Sequence, residues 1–319
     1  MMQRKCVFCM ANDVDMTVDF AGVKLANCVF TASGTCGYGE ELADFLDVNA
    51  LGGFITKSIT LEPRAGNPTP RAVETNAGML NAIGLANVGL DRFIEEKMPF
   101  LRRLNTAVFV NVAGQTIDEY VAIAERLSGE DAIAGLELNI SCPNVKQGGI
   151  TFGTDPAQIR QITTAVRKAA GPKCLIVKLT PSVTDIATTA QAAVEAGADA
   201  LSLVNTFTAM VVDIYRRKPV LANRTGGLSG PAIKPIAVHL VNRVYEQVAG
   251  PAQVPLLGLG GIRTASDALE FIIAGASAVA VGTATFVNPA CAAEIIEGIR
   301  RYCREQGVTD VKQLVGSLH

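Results

Sequence analysis

The chain has 319 residues, of which 49% are hydrophobic and 18% charged, so it can bury a large core. Closed α/β barrels of this length often form a single domain. The formal net charge of −2 gives no reason to expect nucleic acid or an anionic membrane surface as a partner. Short apolar runs, broken by Gly, Asp or Lys, predict no transmembrane segment. The amino terminus has no apolar stretch typical of a signal peptide, so we expect a cytoplasmic protein.

The cysteines show no disulfide framework spacing, and in a reducing compartment most of them should be small buried hydrophobes. Cys6 and Cys9 form a CxxC pair, but no second pair or histidine cluster lies near them to complete a zinc site. We therefore predict no metal site. Residues 1–16 are expected to be a leader outside the fold, without an assigned role, and residues 17–319 a single domain.

Short apolar or β-branched runs recur along the chain and predict eight strands. Runs that are apolar almost throughout are typical of parallel strands buried on both faces. The predicted strands span residues 25–33, 52–58, 106–113, 135–141, 174–180, 200–205, 254–260 and 277–282.

Helix signals fill the stretches between these strands. Thr116 to Glu119 reads as a capping box that opens a helix, and Gly171 ends a helix that begins near Pro156. Gly197 and Gly275 each follow a helix and lead directly into a strand, in the similar sequences VEAGADALSLVN and IIAGASAVAVGT. One helix–turn–strand unit is therefore expected to repeat around the fold.

Eight such units predict a TIM (β/α)8 barrel with inserted loops at the carboxyl-terminal face. An open doubly wound sheet is the alternative, but no GxGxxG follows the first strand. The connections over residues 59–87 and 206–229 are too long for ordinary βα loops. Both leave carboxyl ends of strands, where barrel enzymes place their chemistry, so we expect them to cover the substrate.

Most of the predicted strands end in a polar side chain. A lone Asn there is more often a turn former, and a lone Lys a solvated tip, but equivalent positions around a barrel face one mouth. The resulting pocket holds two ammonium groups, three carboxamides and no carboxylate, which favours one or two stacked ligands that are planar, anionic and rich in amides. These residues are Ser33, Lys57, Ser58, Asn111, Asn139, Lys178 and Asn205.

Glycine turns end the last two predicted strands, Gly260-Gly261 in LGLGGIRTASDA and Gly282-Thr283 in AVGTATFVNPA. Each motif alone is weak, since many glycine turns only permit a tight bend. Backbone N–H groups of Gly260, Gly261, Gly282 and Thr283 on neighbouring strands nevertheless suit a phosphate-bearing cofactor. The rival interpretation is a barrel aldolase with Lys57 or Lys178 as Schiff-base lysine, which the missing carboxylates disfavour.

Cys142 follows the fourth predicted strand, in a loop stiffened by Pro143. The only histidines are His239, within a helical pattern, and the terminal His319, so imidazole catalysis is nearly excluded. A nucleophilic thiol normally needs an adjacent base. A general base needs only placement over an acidic C–H and some thiolate character, and an unperturbed thiol titrates at about 8.5. We therefore favour Cys142 as a general base.

NISCPNVKQGG followed by FGTDP resembles the active-site loop of dihydroorotate dehydrogenases. It is most similar to the soluble catalytic subunits of the class 1B, NAD-dependent type. The resemblance begins near Thr17 and continues, in order, through ASGTCGYGEE, TKSIT, NAIGLAN, NRTGGLSGPAIKP, LGLGGI and VGTATFVNP.

The resemblance implies a barrel with FMN at its carboxyl-terminal face. It implies oxidation of dihydroorotate to orotate in pyrimidine biosynthesis, with Cys142 taking the proton from C5 while a hydride leaves C6 for flavin N5. At position 142 this chain has a cysteine, whereas the membrane-bound class of the family has a serine. A pocket without carboxylates agrees with this chemistry, because a carboxylate would repel an anionic substrate and a reduced flavin.

The same resemblance assigns the binding residues. For the substrate they are Lys57, Asn81, Gly84, Leu85, Asn139, Asn144, Asn205 and Thr206. For the flavin they are Ala32, Ser33, Lys57, Ser58, Asn111, Asn139, Lys178, Val204 and Gly230, with Gly260, Gly261, Gly282 and Thr283 at its phosphate.

This class also implies a partner. A separate electron-transfer subunit with FAD and a [2Fe–2S] cluster is expected to pass electrons to NAD, in a heterotetramer with two copies of each subunit. One alternative is a class 1A-like enzyme that uses fumarate directly. Another is a dihydropyrimidine dehydrogenase-type enzyme, although the iron–sulfur cysteines of that type are missing. A catalytically silent flavin-binding or scaffold subunit is the non-enzymatic alternative.

Overall fold

Eight parallel strands close into a barrel in the computed structural model, which describes residues 14–141, 143–144 and 150–319. Neighbouring barrel strands follow one another in chain order, and the last pairs with the first. The predicted TIM barrel is therefore confirmed.

The strands are β1 (Val18–Phe20), β2 (Val23–Leu25), β3 (Val29–Thr31), β4 (Gly53–Ile55), β5 (Ala72–Thr75), β6 (Gly78–Asn81), β7 (Ala107–Val112), β8 (Gly135–Asn139), β9 (Pro143–Asn144), β10 (Ile150–Thr151), β11 (Cys174–Lys178), β12 (Ala200–Leu203), β13 (Phe207–Ala209), β14 (Val212–Asp213), β15 (Lys218–Pro219), β16 (Gly226–Ser229), β17 (Leu256–Leu259) and β18 (Ala278–Val281). The barrel consists of β3, β4, β7, β8, β11, β12, β17 and β18.

Helical segments follow each barrel strand. They are α1 (Glu40–Ala43), α2 (Leu90–Arg92), α3 (Met98–Leu101), α4 (Ile117–Ser128), α5 (Pro156–Ala170), α6 (Ile186–Glu195), α7 (Lys234–Val244), α8 (Gly250–Ala252), α9 (Ala265–Ile273) and α10 (Cys291–Gln306). π-Helical turns join α2 to α3 and α7 to α8, and short 3₁₀ segments include Pro231–Ile233 and Thr283–Phe286.

The first predicted strand, residues 25–33, is shorter in the structure because Asn27 interrupts it. Its side-chain Oδ1 accepts from the N–H groups of Val29 and Gly52, both at 3.0 Å, and its Nδ2 donates to the carbonyl of Ala50. This side chain takes the place of backbone pairing. Leu25 consequently belongs to β2, which pairs with β1 in a hairpin.

The caps largely follow the sequence. Thr116 accepts from the N–H of Glu119, as predicted, but the Glu119 carboxylate accepts from Gln115 and not from Thr116. A complete capping box occurs instead at Thr264 and Asp267, where α9 begins.

Val14 and Met16, within the stretch predicted as a leader, are buried against the barrel. Asp15 between them pairs with the carboxyl-terminal segment, since its N–H donates to Thr309 and its carbonyl accepts from Val311. Cys6 and Cys9 lie outside the described residues. The chain thus joins the fold at least from Val14.

Aromatic rings fill the barrel interior beside the β1–β2 hairpin. The Phe20, Phe30 and Phe109 ring centroids lie 5.6–6.5 Å apart. A Cβ on Gly53 would lie 2.1 Å from the Phe30 ring, and one on Gly135 would lie 2.8 Å from the Phe109 ring. Glycine at these two strand positions therefore makes room for the rings.

The two long insertions meet in a four-stranded antiparallel sheet. Its order is β13-β16-β6-β5, so two strands from residues 206–229 lie beside two strands from residues 59–87, and β16 pairs with β6 where the insertions meet. Since β13 begins four residues after β12 ends, this sheet stands at the carboxyl-terminal face of the barrel. Its position agrees with the predicted cover, and its strands were not predicted.

No helix within the described residues has both the length and the apolar character needed to cross a bilayer.

Replacing Phe20 by Ala should lower the free energy of unfolding by about 3–5 kcal/mol, because a fully buried ring leaves a cavity. Phe45→Ala is the matched control, since that ring is 65% exposed, and its effect should stay within about 0.5 kcal/mol. Denaturant unfolding of both variants measures the difference. Equal effects would contradict the assignment of Phe20 to the core.

Candidate active site

Side chains from four strand ends form one hydrogen-bonded network at the barrel mouth. The Ser58 hydroxyl donates to Asn111 Oδ1, and Asn111 Nδ2 lies 3.3 Å from Ser33 Oγ. Lys178 Nζ donates to the same Ser33 oxygen at 3.1 Å. The structure thus brings together four of the predicted residues, and Asn111 and Lys178 are buried there.

Glu137 stands opposite Asn111 on the neighbouring strand and belongs to this network, which corrects the prediction of a region without carboxylates. One carboxylate oxygen accepts from Asn111 Nδ2 at 2.5 Å and lies 3.5 Å from Lys178 Nζ. The other accepts from Ser202 Oγ at 2.9 Å. Glu137 is fully buried, so its charge is compensated by protein groups and not by water.

Glu137 and Ser202 lie inside their strands and not at the strand ends, so the strand-end pattern does not predict them. The signal was present, since GLELN places a charged residue in the middle of an otherwise apolar strand. A buried charge of this kind is rare unless it is paired.

A second cluster joins the ends of β8 and β12. Asn205 Nδ2 lies 3.4 Å from Asn139 Oδ1 and donates to Ser141 Oγ at 2.9 Å. The Oδ1 of Asn205 in turn accepts from the N–H of Thr206. The buried hydroxyl of Tyr120 donates to the Asn139 carbonyl at 2.7 Å and fixes the end of β8 from the helix side.

The predicted residues of the insertions lie on the sheet over the mouth. Asn81 in β6 stands opposite Gly227 in β16. A Cβ on Gly227 would lie 2.0 Å from Thr206 Oγ1, so only glycine allows β16 to pass this close to Thr206. Gly84 and Leu85 both have positive φ angles, 75° and 56°, in the turn after β6.

The predicted phosphate residues come together from β17 and β18. In the part of the chain that the structure describes, the N–H groups of Gly260, Gly261, Gly282 and Thr283 donate to no backbone carbonyl. Thr283 Oγ1 donates to Ser229 Oγ at 2.8 Å. These N–H groups can therefore bind an anion, as at other glycine-rich turns.

The remaining predicted flavin residues border these glycines. A Cβ on Gly282 would lie 3.3 Å from the Ala32 side chain, and one on Gly261 would lie 2.7 Å from the Gly230 carbonyl. Val204 is buried, and its N–H donates to Leu259 at the end of β17. Ala32, Gly230 and the last two strand ends thus enclose one side of the mouth.

Lys57 is half-buried at the end of β4. Burial lowers the pKa of its ammonium group from the ordinary value, and the positive charge of Arg71 lowers it further, while Glu41 acts in the opposite direction. Arg71 comes from the insertion and was not predicted. Together, Lys57 and Arg71 give this side of the mouth a positive charge that favours an anion.

The predicted structural thiols are buried, and burial raises the pKa of both Cys28 and Cys174 to about 12. Cys142 and the side chain of Asn144 lie outside the described part of the chain. Among the described residues, no group of His, Cys, Asp or Glu is placed to hold a metal ion.

The fold and the mouth define a class of protein, a (β/α)8 barrel with a polar network at its mouth and glycine turns after its last two strands. A model of the dihydroorotate dehydrogenase family matches residues 15–302, and the chain belongs to this family.

Curated relatives are similar over nearly the whole length. Dihydroorotate dehydrogenase B (NAD(+)), catalytic subunit, of Geotalea uraniireducens is 57% identical over 304 residues, which are 95% of this chain and 98% of that protein. The protein of the same name from Pelobacter propionicus is 59% identical with the same coverage. The predicted resemblance is confirmed.

Among solved structures, the DHODH of Eimeria tenella, crystallised with ferulenol, has a TM-score of 0.79 and 26% identity. The match covers 97% of this chain and 90% of that one. The barrel and its additions are therefore shared with a dihydroorotate dehydrogenase of low sequence identity.

Gly261→Ala and Gly22→Ala form a matched pair, because both glycines have φ +83°. A Cβ on Gly22 meets nothing within 4 Å. The free energy of unfolding of Gly22→Ala should therefore fall by only about 1–2 kcal/mol, the cost of a left-handed backbone conformation for alanine. A Cβ on Gly261 would lie 2.7 Å from the Gly230 carbonyl. This steric overlap should destabilise Gly261→Ala by about 1–3 kcal/mol in addition to the backbone cost. Denaturant unfolding measures both, and equal losses would contradict the tight approach at the mouth.

Proposed function

We propose that this chain oxidises (S)-dihydroorotate to orotate in pyrimidine biosynthesis, using FMN bound at the barrel mouth. The observation that carries the proposal is the match to the dihydroorotate dehydrogenase family, which spans the strands whose ends meet in this mouth. The relatives are named as dihydroorotate dehydrogenases, and they share more than half of their residues with this chain.

The mouth fits FMN in two respects. The N–H groups of Gly260, Gly261, Gly282 and Thr283, which donate to no backbone carbonyl among the described residues, suit a phosphate. The polar edge of a planar ring is suited by the side chains of Ser33, Ser58, Asn111, Asn139 and Lys178. The residues that border this ring are Lys57, Ala32, Val204 and Gly230. FMN, when bound, supplies an acceptor for the two electrons and one proton of a hydride.

The substrate is an anion with ring amides, and the substrate residues match both features. Lys57 supplies a positive charge for the carboxylate, supported by nearby Arg71. Asn81, Asn139, Asn144, Asn205 and Thr206, with the backbone of Gly84 and Leu85, supply the amide and hydroxyl groups for the ring. The hydrogen bonds among Asn139, Ser141 and Asn205 hold part of this set in place before substrate arrives.

Cys142 serves as the general base that takes the proton from C5, while C6 loses a hydride, so that a C5–C6 double bond forms. Its neighbour Ser141 accepts a hydrogen bond from Asn205 at 2.9 Å, which ties the start of the Cys142 loop to the substrate residues. A thiol near cationic and amide groups loses its proton more easily than a buried one.

The electrons leave through a partner subunit. The relatives carry "NAD(+)" and "catalytic subunit" in their names, which supports a separate subunit that completes the path to NAD. We propose that this subunit bears FAD and a [2Fe–2S] cluster and assembles with this chain as two copies of each.

Anaerobic addition of dihydroorotate should bleach the flavin absorbance of the purified protein. Cys142→Ala should keep the flavin but slow bleaching by about 10²–10⁴-fold, the usual contribution of a general base. Cys174→Ala is the control, because that thiol is buried at the amino-terminal end of β11, and it should bleach at the normal rate. Normal bleaching in Cys142→Ala would remove the base assignment, and a yellow wild-type protein that does not bleach would remove the substrate.

The bleached protein, purified alone, should not be reoxidised by NAD or by fumarate, because the acceptor path lies on the partner. Native co-purification from the source organism, followed by NAD reduction assays, tests for that partner. Rapid reoxidation by fumarate alone would instead support the class 1A-like alternative.

A further inference from the structure

The buried carboxylate of Glu137 has no part in the proton and hydride transfers described above. It lies inside the barrel, fully buried, one layer below the strand ends that form the mouth. Each of its oxygens has a partner, Asn111 and Lys178 on one side and Ser202 on the other. Removing a carboxylate from water costs free energy. The partners of Glu137 therefore indicate what role this buried carboxylate has.

Lys178 is the only one of these partners that is ionised. Its side chain is 5% exposed, and its Nζ lies between Glu137 Oε2 at 3.5 Å and Ser33 Oγ at 3.1 Å. Ser33 is also within 3.3 Å of the Asn111 amide, which itself binds Glu137. The carboxylate thus orients the two donors from below and opposes the positive charge of one of them.

We propose that Glu137 is a positioning residue that holds Lys178 and Asn111 against the bound flavin and offsets the Lys178 charge, thereby keeping the flavin's reduction potential low. This rests on the proposed function, because it requires FMN at the mouth. A reduced flavin takes up two electrons and one proton and so carries one more negative charge than the oxidised form. An uncompensated ammonium would favour the reduced form, and Glu137 limits that preference.

A low potential has a functional consequence. Electrons that arrive from the substrate must move on to the next acceptor, and a flavin that binds them too firmly would release them slowly. Asn111, which is neutral, can orient the ring without this effect. The pairing of Lys178 with Glu137 therefore provides a fixed donor at the ring with little net charge.

The test compares the flavin reduction potential of wild type, Glu137→Gln, Lys178→Met and the double variant, by anaerobic titration against reference dyes. Glu137→Gln keeps the shape and removes the charge. In this variant the equilibrium between oxidised and reduced FMN should shift about tenfold toward the reduced form. This corresponds to a reduction potential that is higher than in wild type by about 30 mV for a two-electron couple. In the Lys178→Met background the same substitution should have no effect, because a buried carboxylate that has lost its cation takes up a proton and is already neutral.

Ser202→Ala is the matched control, since it removes a hydrogen bond to Glu137 without changing any charge, and its potential should equal that of wild type. An unchanged potential in Glu137→Gln overturns the inference, as does an equal shift in both backgrounds, which would indicate an action that bypasses Lys178. If Glu137→Gln does not fold, the double variant leaves no unpaired buried ion. The reduction potential of the double variant must then equal that of Lys178→Met. A higher potential in the double variant would overturn the inference.

These outcomes are separable from the proposed function. Wild-type protein that binds FMN and is bleached by dihydroorotate, with Glu137→Gln unchanged in potential, contradicts the role of Glu137 alone. Wild-type protein that cannot be loaded with FMN overturns the proposed function and this inference together.

Discussion

The mouth of this barrel depends on one buried carboxylate and the groups that compensate it. Glu137 in β8 is paired with Asn111 from β7, Lys178 from β11 and Ser202 from β12, so one side chain connects four consecutive strands. Breaking a buried ionic network of this kind by removing one member typically costs several kcal/mol. The interactions that hold these strands in register are therefore the same ones that orient the donors of the candidate site.

The upper part of the site is built on a different principle. There the chain uses backbone groups, as the N–H donors of β17 and β18 ends show, and two insertions that pair as a sheet. Gly227 allows the sheet to approach Thr206, and Gly261 allows the β17 turn to approach Gly230. A side chain at either glycine would separate segments that are far apart in sequence. Glycines that let the chain approach the Thr206 side chain and the Gly230 carbonyl therefore help to set the shape of the mouth.

Local sequence patterns predicted the barrel because the barrel strands are largely apolar and several of the longer helices, such as α4, α5 and α9, carry their own caps. They predicted the mouth residues because strand ends converge in any such barrel. They could not predict the sheet over the mouth, since pairing of β6 with β16 joins segments almost 150 residues apart and leaves no local signal. Glu137 is a different case. Its charge was visible in GLELN, but only the three-dimensional partners explain why it is tolerated inside the barrel.

The thiols of this chain show how environment separates chemistry from packing. Cys36 follows β3 on the mouth side of the barrel, yet it is buried, and burial raises its pKa. Proximity to the mouth is therefore insufficient to make a cysteine a base. The proposed base is Cys142, and its neighbour in the chain, Ser141, is hydrogen-bonded to the Asn205 amide within a polar cluster. A thiolate is stabilised by polar donors and positive charge and destabilised by apolar surroundings. The polar lining that suits an anionic substrate therefore also suits an ionised thiol, so one set of donors can serve both.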